Sequence, residues 1–332
     1  MKSTVVILGA NGFLGRYLTR HFARQGKEVV AIARHRHGLS GDGLFLEWDG
    51  RTLGPWALAL EGAELVINLA GRTVNCRYDT ANRREILESR LASTRVVAEA
   101  IRGCRVPPKV WMNASSATVY RHAEDHAQDE WQGESGDGFS VEVVRKWEQA
   151  FFAEMLPGET RKLALRTGMV LAHEPGTVFA VLRGLVRAGL GGAMGKGTQR
   201  VSWIHMGDFL RAIEFLLRDP LIDGVVNLAA PEFPTNRELM RHFREAAAMP
   251  LALPAARWML GIGARLLRTE TELVLKSRWA DPRRLRESGF RWQHGHLPDA
   301  IDHLREHEGL DAFFQPIGSR SMGARVWLPG RV

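Results

Sequence analysis

Residues 4 to 15, Thr4-Val5-Val6-Ile7-Leu8-Gly9-Ala10-Asn11-Gly12-Phe13-Leu14-Gly15, decide the fold. An apolar run, Val5 to Leu8, predicts a strand buried on both faces. It breaks into glycines three residues apart, and helical periodicity then resumes from Gly12 to about Gln25. Gly9 allows a tight turn, Gly12 lets the backbone approach a phosphate, and Gly15 permits close helix-to-strand packing. The free amides and positive dipole end of that helix face an anion. An ordinary glycine turn would look similar in isolation. Here a second strand, Glu28 to Ile32, follows where a βαβ unit requires one, so the stretch reads as a cradle for a dinucleotide pyrophosphate, with Asn11, Phe13 and Leu14 completing the loop.

The end of the second strand selects the cofactor. A site that prefers NAD places a carboxylate there, on the ribose 2′-hydroxyl. This chain has Ala33, Arg34, His35 and Arg36. A guanidinium gripping a 2′-phosphate is worth about 1.5 to 3 kcal/mol, or roughly ten- to a hundredfold. NADP(H) is therefore the expected cofactor, held by Arg34. The competing reading makes Arg34 to His37 a solvated basic loop.

At 332 residues the chain can bury a large core and carry one nucleotide domain with a smaller partner region. Its two cysteines, Cys76 and Cys104, form neither a zinc pattern nor a redox pair, which points to a reducing, cytoplasmic setting. Met1-Lys2-Ser3 leads straight into a strand rather than a signal peptide, and no apolar run reaches the roughly 18 residues of a membrane span. A net charge of +8 invites a nucleic-acid hypothesis. The arginines are scattered along most predicted helices without an interleaved aromatic platform, so an anionic cofactor is the preferred explanation. The expected partner is a small-molecule substrate, with a homodimer left open and neither membrane nor nucleic acid expected. The His35/His37 and His294/His296 pairs lack a third ligand at metal spacing, so no metal is expected.

Further strands are predicted at Leu44 to Glu47, Leu65 to Leu69, Lys109 to Ala114, Lys162 to Leu165 and Gly224 to Leu228. Helices are predicted after Tyr78 to about Ile101, and from Phe139 to Met155. This alternation predicts an α/β fold, a doubly wound parallel sheet of Rossmann type with a small, mostly helical C-terminal lobe. The domain reading assigns 1–168 plus 201–230 to the NADP-binding domain, 169–200 plus 231–310 to a substrate-side lobe, and 311–332 to a tail. Glycines between Gly184 and Gly197 suggest a loop-rich crossing. Thr235 with Glu238 reads as a capping box, and 255–276 as an amphipathic helix.

These motifs, taken in order, resemble the extended short-chain dehydrogenase/reductase superfamily, and within it the atypical sugar-nucleotide epimerase-like group with a C-terminal domain of unknown function. The resemblance rests on GANGFLG, Asn68 to Gly71 (NLAG), Ser89 to Arg95 (SRLASTR), Ala114 to Tyr120 (ASSATVY), Trp147-Glu148, Leu165 to Leu171 (LRTGMVL), Ser202 to Asp208 (SWIHMGD) and Pro282 to Trp292 (PRRLRESGFRW). It covers Thr4 to about Leu304. By resemblance, Leu69, Ala70 and Gly71 wall the adenine-ribose side, and Gly168, Met169 and Val170 pass beside the nicotinamide. Ser116 falls on the superfamily's catalytic serine, with helix capping as its structural alternative. Arg90 stands where many relatives carry an active-site asparagine, and reads as a cofactor or substrate contact or, equally, as a surface ion-pair partner. Arg200, Trp203 and His205 are the substrate candidates, although a Trp in this place is more often a core residue and His205 is equally a satisfied structural histidine.

Such reductases ordinarily move the substrate proton through a tyrosine whose phenol is poised by a lysine four residues on. The chain has three tyrosines, Tyr17, Tyr78 and Tyr120, and the residues four beyond them are His21, Asn82 and Glu124. Aligned on Trp147-Glu148, the resemblance places the tyrosine near Ser140 and the lysine near Val144, or at Phe139 and Val143 with a one-residue slip. Losing general acid/base assistance costs about a hundred- to ten-thousandfold in rate. Tyr120, four residues past Ser116, is one replacement, and a relay through Ser116 and water is another. The expected activity is thus NADP(H)-dependent hydride transfer at a carbonyl or alcohol carbon, with a catalytically inactive NADP(H)-binding regulator or scaffold as the alternative.

Overall fold

The computed structural model describes residues 3–39, 41, 43–158, 160–249 and 276–314. The chain forms two compact units, one of Met1–Val119, Asp137–Arg166 and Ile213–Val226, the other of Tyr120–Gly136, Thr167–Ala212 and Asn227–Val332.

A seven-stranded sheet organises the first unit. Its spatial order is β3 (Leu44–Glu47), β2 (Glu28–Ala33), β1 (Thr4–Leu8), β4 (Leu65–Asn68), β5 (Val110–Ser116), β6 (Arg161–Thr167) and β9 (Gly224–Leu228). The pairings β2 with β3, β1 with β2, β1 with β4, and β4 with β5 are all parallel. Strand order reverses between β1 and β4, the switch point at which open α/β sheets create a crevice beyond the strand ends. The near-continuous apolar sequence of β1 follows from burial on both faces: Val5, Val6, Ile7 and Leu8 are all wholly buried.

Helix α1 (Phe13–Arg24) connects β1 to β2. Helix α2 (Thr80–Arg102) buries Ile86, Val97, Ala98 and Ile101, as its periodicity predicts, while Leu87 and Leu91 stay partly exposed. Ser93 and Thr94 take up buried positions on this helix instead. Thr94 is accommodated because its hydroxyl accepts the Trp147 indole N–H at 2.9 Å, from α3 (Phe139–Ala153). Beneath α3, Trp111 of β5 and Phe151 meet edge to face at 4.5 Å within the apolar core.

In the second unit, on either side of the glycine-rich passage read as a crossing loop, β7 (Met169–Leu171) pairs in parallel with β8 (Trp203–His205). These strands are three residues each, too short to show periodicity in the sequence. Helix α4 (Val178–Arg187) is capped by Thr177, and α5 (Met206–Arg218) follows β8 directly. Helix α6 (Asn236–Ala246) starts at the predicted capping box, in which Glu238 N–H donates to Thr235 Oγ1 and Thr235 N–H donates to Glu238 Oε2. Helices α7 (Arg283–Glu287), α8 (Leu297–Glu306) and α9 (Gly309–Phe313) complete the described chain. Of the amphipathic helix read at 255–276, all but Lys276 lies outside the described residues, as does 315–332 of the tail. No helix of the described residues is long and apolar enough to cross a membrane.

Candidate functional site

The cradle is built as its glycines require. Gly9 turns with φ +79, and a β-carbon there would stand 2.9 Å from the Leu69 carbonyl carbon. At Gly15 a β-carbon would meet the Gly9 carbonyl oxygen at 2.5 Å and Ala10 Cα at 2.7 Å. The turn is pinned from behind by the Gly9 and Ala10 amides, both donating to the Ile32 carbonyl. Gly12, the N-cap of α1, supplies no side chain to its amides, and the first turn holds no acidic residue. Those amides, with Phe13 and Leu14 in the first turn, are therefore left to an external anion.

Two further loops converge on the same end of the sheet. After β4, the buried Asn68 amide donates to Asn113 Oδ1 at 2.9 Å, and its oxygen accepts the Ala70 N–H at 3.0 Å, which sets the path of Leu69, Ala70 and Gly71. After β2, Asn11 Nδ2 reaches His35, 3.0 Å from its Nδ1 and 3.3 Å from its carbonyl oxygen. Asn11 thus ties the pyrophosphate loop to the basic loop. Arg34 is exposed there and makes no ion pair among the described residues. An exposed cation with no internal partner beside a phosphate cradle fits a 2′-phosphate.

Arg90 is inward-facing rather than a surface ion-pair partner. Its guanidinium donates to the carbonyls of Arg72 and Ile86, and lies 5.1 Å over the Trp147 ring. Its side chain packs on Gly71, where a β-carbon would stand 3.3 Å from Arg90 Cγ. Burial lowers its pKa to about 10, so it remains a cation at neutral pH. Ser116 is partly buried at the end of β5, and its hydroxyl accepts the Thr118 N–H at 3.2 Å. It caps the short 3-10 turn Ala117–Val119 while its oxygen still lies at the strand end. The neighbouring Ser115 belongs to a network the sequence did not disclose: its hydroxyl donates to Glu148 Oε1 at 2.5 Å, and Arg166 donates to both Glu148 oxygens at 2.8 and 2.7 Å.

The remaining candidates lie in the second unit. Tyr120 is wholly buried, its hydroxyl 3.0 Å from the Asp129 carbonyl oxygen and 2.9 Å from Asn227 Oδ1. Gly168 donates to the Leu228 carbonyl and has no room for a side chain, since a β-carbon would meet Ser202 O at 2.9 Å. Met169 and Val170 pair with Trp203 and Ile204. Arg200 donates to the Phe233 carbonyl and stacks 4.9 Å over Trp279. Trp203 and His205 are closed to solvent. In place of an open substrate contact, Trp203 fills the core with Leu171, Phe179 and Met240, and His205 joins a histidine cluster.

That cluster corrects the reading of the histidines. His294 pairs not with His296 but with His205 at 3.9 Å and His303 at 4.4 Å between ring centroids. One nitrogen from each of the three lies within 4.8 Å of the others. Sequence spacing could not show it, because the three rings come from β8, the loop before α8, and α8. Gly207 N–H donates to His205 Nδ1 at 3.0 Å, which places the ring hydrogen of neutral His205 on the buried, unpartnered Nε2. With one ligand atom from each, the three rings could hold a metal ion, contrary to the expectation of no metal.

A glycine cradle at the switch point of a parallel sheet defines a Rossmann-type nucleotide-binding class. The model of the NAD dependent epimerase/dehydratase family matches residues 5–136, and that of a domain of unknown function, DUF1731, matches 255–304. Epimerase family protein SDR39U1 of Bos taurus is 30% identical over 302 residues, covering 90% of this chain and 98% of that protein. Epimerase family protein ML0860 of Mycobacterium leprae is 29% identical over 305 residues, covering 91% and 95%. The crystal structure of human SDR39U1 isoform 2 with NADPH superposes with a TM-score of 0.78 at 28% identity, over 91% of this chain and 99% of that one. A nucleoside-diphosphate sugar epimerase from Corynebacterium glutamicum gives 0.73 at 26% identity, over 93% of this chain and 59% of that one. The chain belongs to the NAD dependent epimerase/dehydratase family.

Proposed function

We propose that the chain binds NADP(H) in the Gly9–Gly15 cradle and uses it for hydride transfer at a carbonyl or alcohol carbon of a small molecule. The observation that carries this reading is the open, uncapped start of α1 beside an exposed, unpaired Arg34. The human relative solved with NADPH supports the choice of nucleotide. In this reading the α1 amides hold the pyrophosphate, Arg34 the 2′-phosphate, and the 69–71 turn the adenosine side. A bound nicotinamide supplies or accepts a hydride. Ser116 orients the reacting oxygen by hydrogen bonding, a role its hydroxyl can take while still accepting from Thr118.

Calorimetry with NADPH and NADH, combined with turnover across a panel of small carbonyl compounds, tests this. Tighter binding of NADPH and nucleotide oxidation that depends on substrate are expected, with Ser116→Ala lowering turnover and sparing NADPH affinity. No heat with either nucleotide would remove the reading. Tight NADPH binding without oxidation of any substrate would favour the regulator or scaffold, an alternative kept by the enclosure of the Tyr120 hydroxyl.

A further inference from the structure

His205 is wholly enclosed, yet its Nε2 has no hydrogen-bond partner among the described residues, and His303 Nδ1 is buried without one as well. Two unpaired nitrogens fill a core badly, because a buried polar atom left unsatisfied costs more than an apolar group of the same shape. These nitrogens do not stand apart. One nitrogen each from His205, His294 and His303 lies within 4.8 Å of the other two. The ring centroids are 3.9 Å apart for His205 and His294, 4.4 Å for His294 and His303, and 4.9 Å for His205 and His303.

The surroundings hold the trio in place. Asp208 has no exposed surface and accepts the Gln293 N–H at Oδ1 and the His294 N–H at Oδ2, each at 2.8 Å, which fixes the segment carrying His294. His307 stacks on His303 at 4.3 Å, with its Nδ1 2.7 Å from the His303 carbonyl oxygen. Phe313 lies 6.0 Å from the His205 ring and 6.4 Å from that of His303. The Asp208 oxygens are spent on main-chain amides and on Arg211 at 3.0 Å, so the trio offers imidazole nitrogen alone. Such a donor set suits zinc, copper or nickel, whereas calcium and magnesium take oxygen ligands.

We propose that His205, His294 and His303 form a site for a divalent transition-metal ion of the zinc type, which clamps α8 to β8 and to the loop between α7 and α8. A tetrahedral ion keeps imidazole nitrogens at about 2.0 to 2.1 Å, and so about 3.3 Å from one another. Small rotations of the three rings bring the nitrogens to that spacing, and water takes the fourth position. His205 binds through Nε2, which moves its ring hydrogen to Nδ1 and ends the hydrogen bond from Gly207. Gly207 is partly exposed, so water can accept its N–H, and the exchange weakens binding by about tenfold. Three metal–nitrogen bonds outweigh that loss.

The test uses the full chain, untagged and stripped with a chelator, and needs neither nucleotide nor substrate. Zinc uptake is measured by competition with a chromogenic chelator, and cobalt supplies a visible spectrum that reports four- or five-coordinate geometry. About one zinc ion per chain is expected, with a dissociation constant of about a micromolar or tighter and no comparable binding of magnesium. His294→Gln and His303→Gln change partly exposed residues, and each should weaken zinc binding by about a hundredfold or more. His296→Gln, outside the trio, should leave it unchanged. Zinc should also raise the unfolding midpoint of the unaltered chain and not that of the two variants. Zinc binding weaker than this, or equally tight binding by folded His294→Gln and His303→Gln, overturns the site. Binding lost in His296→Gln as well assigns the ion to surface histidines and overturns the trio.

Discussion

Gly15 lies directly under Gly9: a β-carbon on the first would stand 2.5 Å from the carbonyl oxygen of the second. The contact is backbone against backbone, so no rotamer change relieves it. Gly15→Ala must push α1 away from the end of β1 and spoil the alignment of its amides. The expected cost is about 1 to 3 kcal/mol of stability by overpacking, with at least about tenfold weaker NADPH binding. Denaturant unfolding and calorimetry on the same preparation check both. Unchanged stability would mean that the cradle is not as closely packed as these distances require.

Arg34→Asp replaces the exposed cation at the end of β2 with the carboxylate of an NAD-type site. Preference for NADPH over NADH should fall by roughly ten- to a hundredfold, through loss of a charge-assisted bond and added repulsion of the 2′-phosphate. The ratio of the two dissociation constants is the readout. A ratio that does not change would assign the 2′-phosphate to another cation, with Arg36 next along the loop.

What the sequence made legible was local or periodic. The cradle, β1 to β6, β9, the capping box at Thr235 and the Arg34 position all follow from residue types within a few positions of one another. The β7–β8 pair was missed because three residues per strand carry no period. The grouping of His205 with His294 and His303, the Ser115–Glu148–Arg166 network and the place of Arg90 were missed for a different reason. Each depends on long-range contacts, such as an indole on α3 receiving a guanidinium from α2, and a single sequence states none of them.

The histidine cluster makes stability depend on pH. Burial holds His205 well below the usual imidazole range, lowers His294, and brings His303 to about 3, with the neighbouring rings, His307 included, adding repulsion. The unfolded chain takes up protons near pH 6.5 while the folded chain resists. Stability contributed by these neutral rings is thus complete above about pH 6.5 and lost as pH falls toward 3, the low-pH limb coming chiefly from the buried His205. Glu130 works in the opposite direction. Burial raises its carboxyl to about 7, so its contribution weakens as pH rises from the usual carboxylate range through neutrality. Urea unfolding between pH 5 and 8 should show a low-pH loss that His205→Gln reduces and Glu130→Gln does not. An acid limb that is the same in His205→Gln as in the unaltered chain would remove the cluster as its source.

Glu148 joins β5, α3 and β6 through a pair of acceptor oxygens: Ser115 donates to one, and Arg166 to both. The carboxylate and the guanidinium are 11% and 15% exposed, so each depends on the other for charge compensation as well as hydrogen bonding. Glu148→Ala leaves Arg166 without its carboxylate in a poorly hydrated place and strips Ser115 of its acceptor, at an expected cost of about 3 kcal/mol or more. Because that cost is mainly the penalty of an uncompensated charge, Glu148→Met combined with Arg166→Met should regain a large part of it. Equilibrium unfolding of both variants decides the matter. If Glu148→Ala costs less than about 1 kcal/mol, the pair behaves as a solvated surface bridge and its low exposure has no energetic consequence. If the double variant is no more stable than Glu148→Ala, the loss comes from packing around α3 rather than from charge, and the hydrogen bond to Ser115 at the strand end carries the coupling instead.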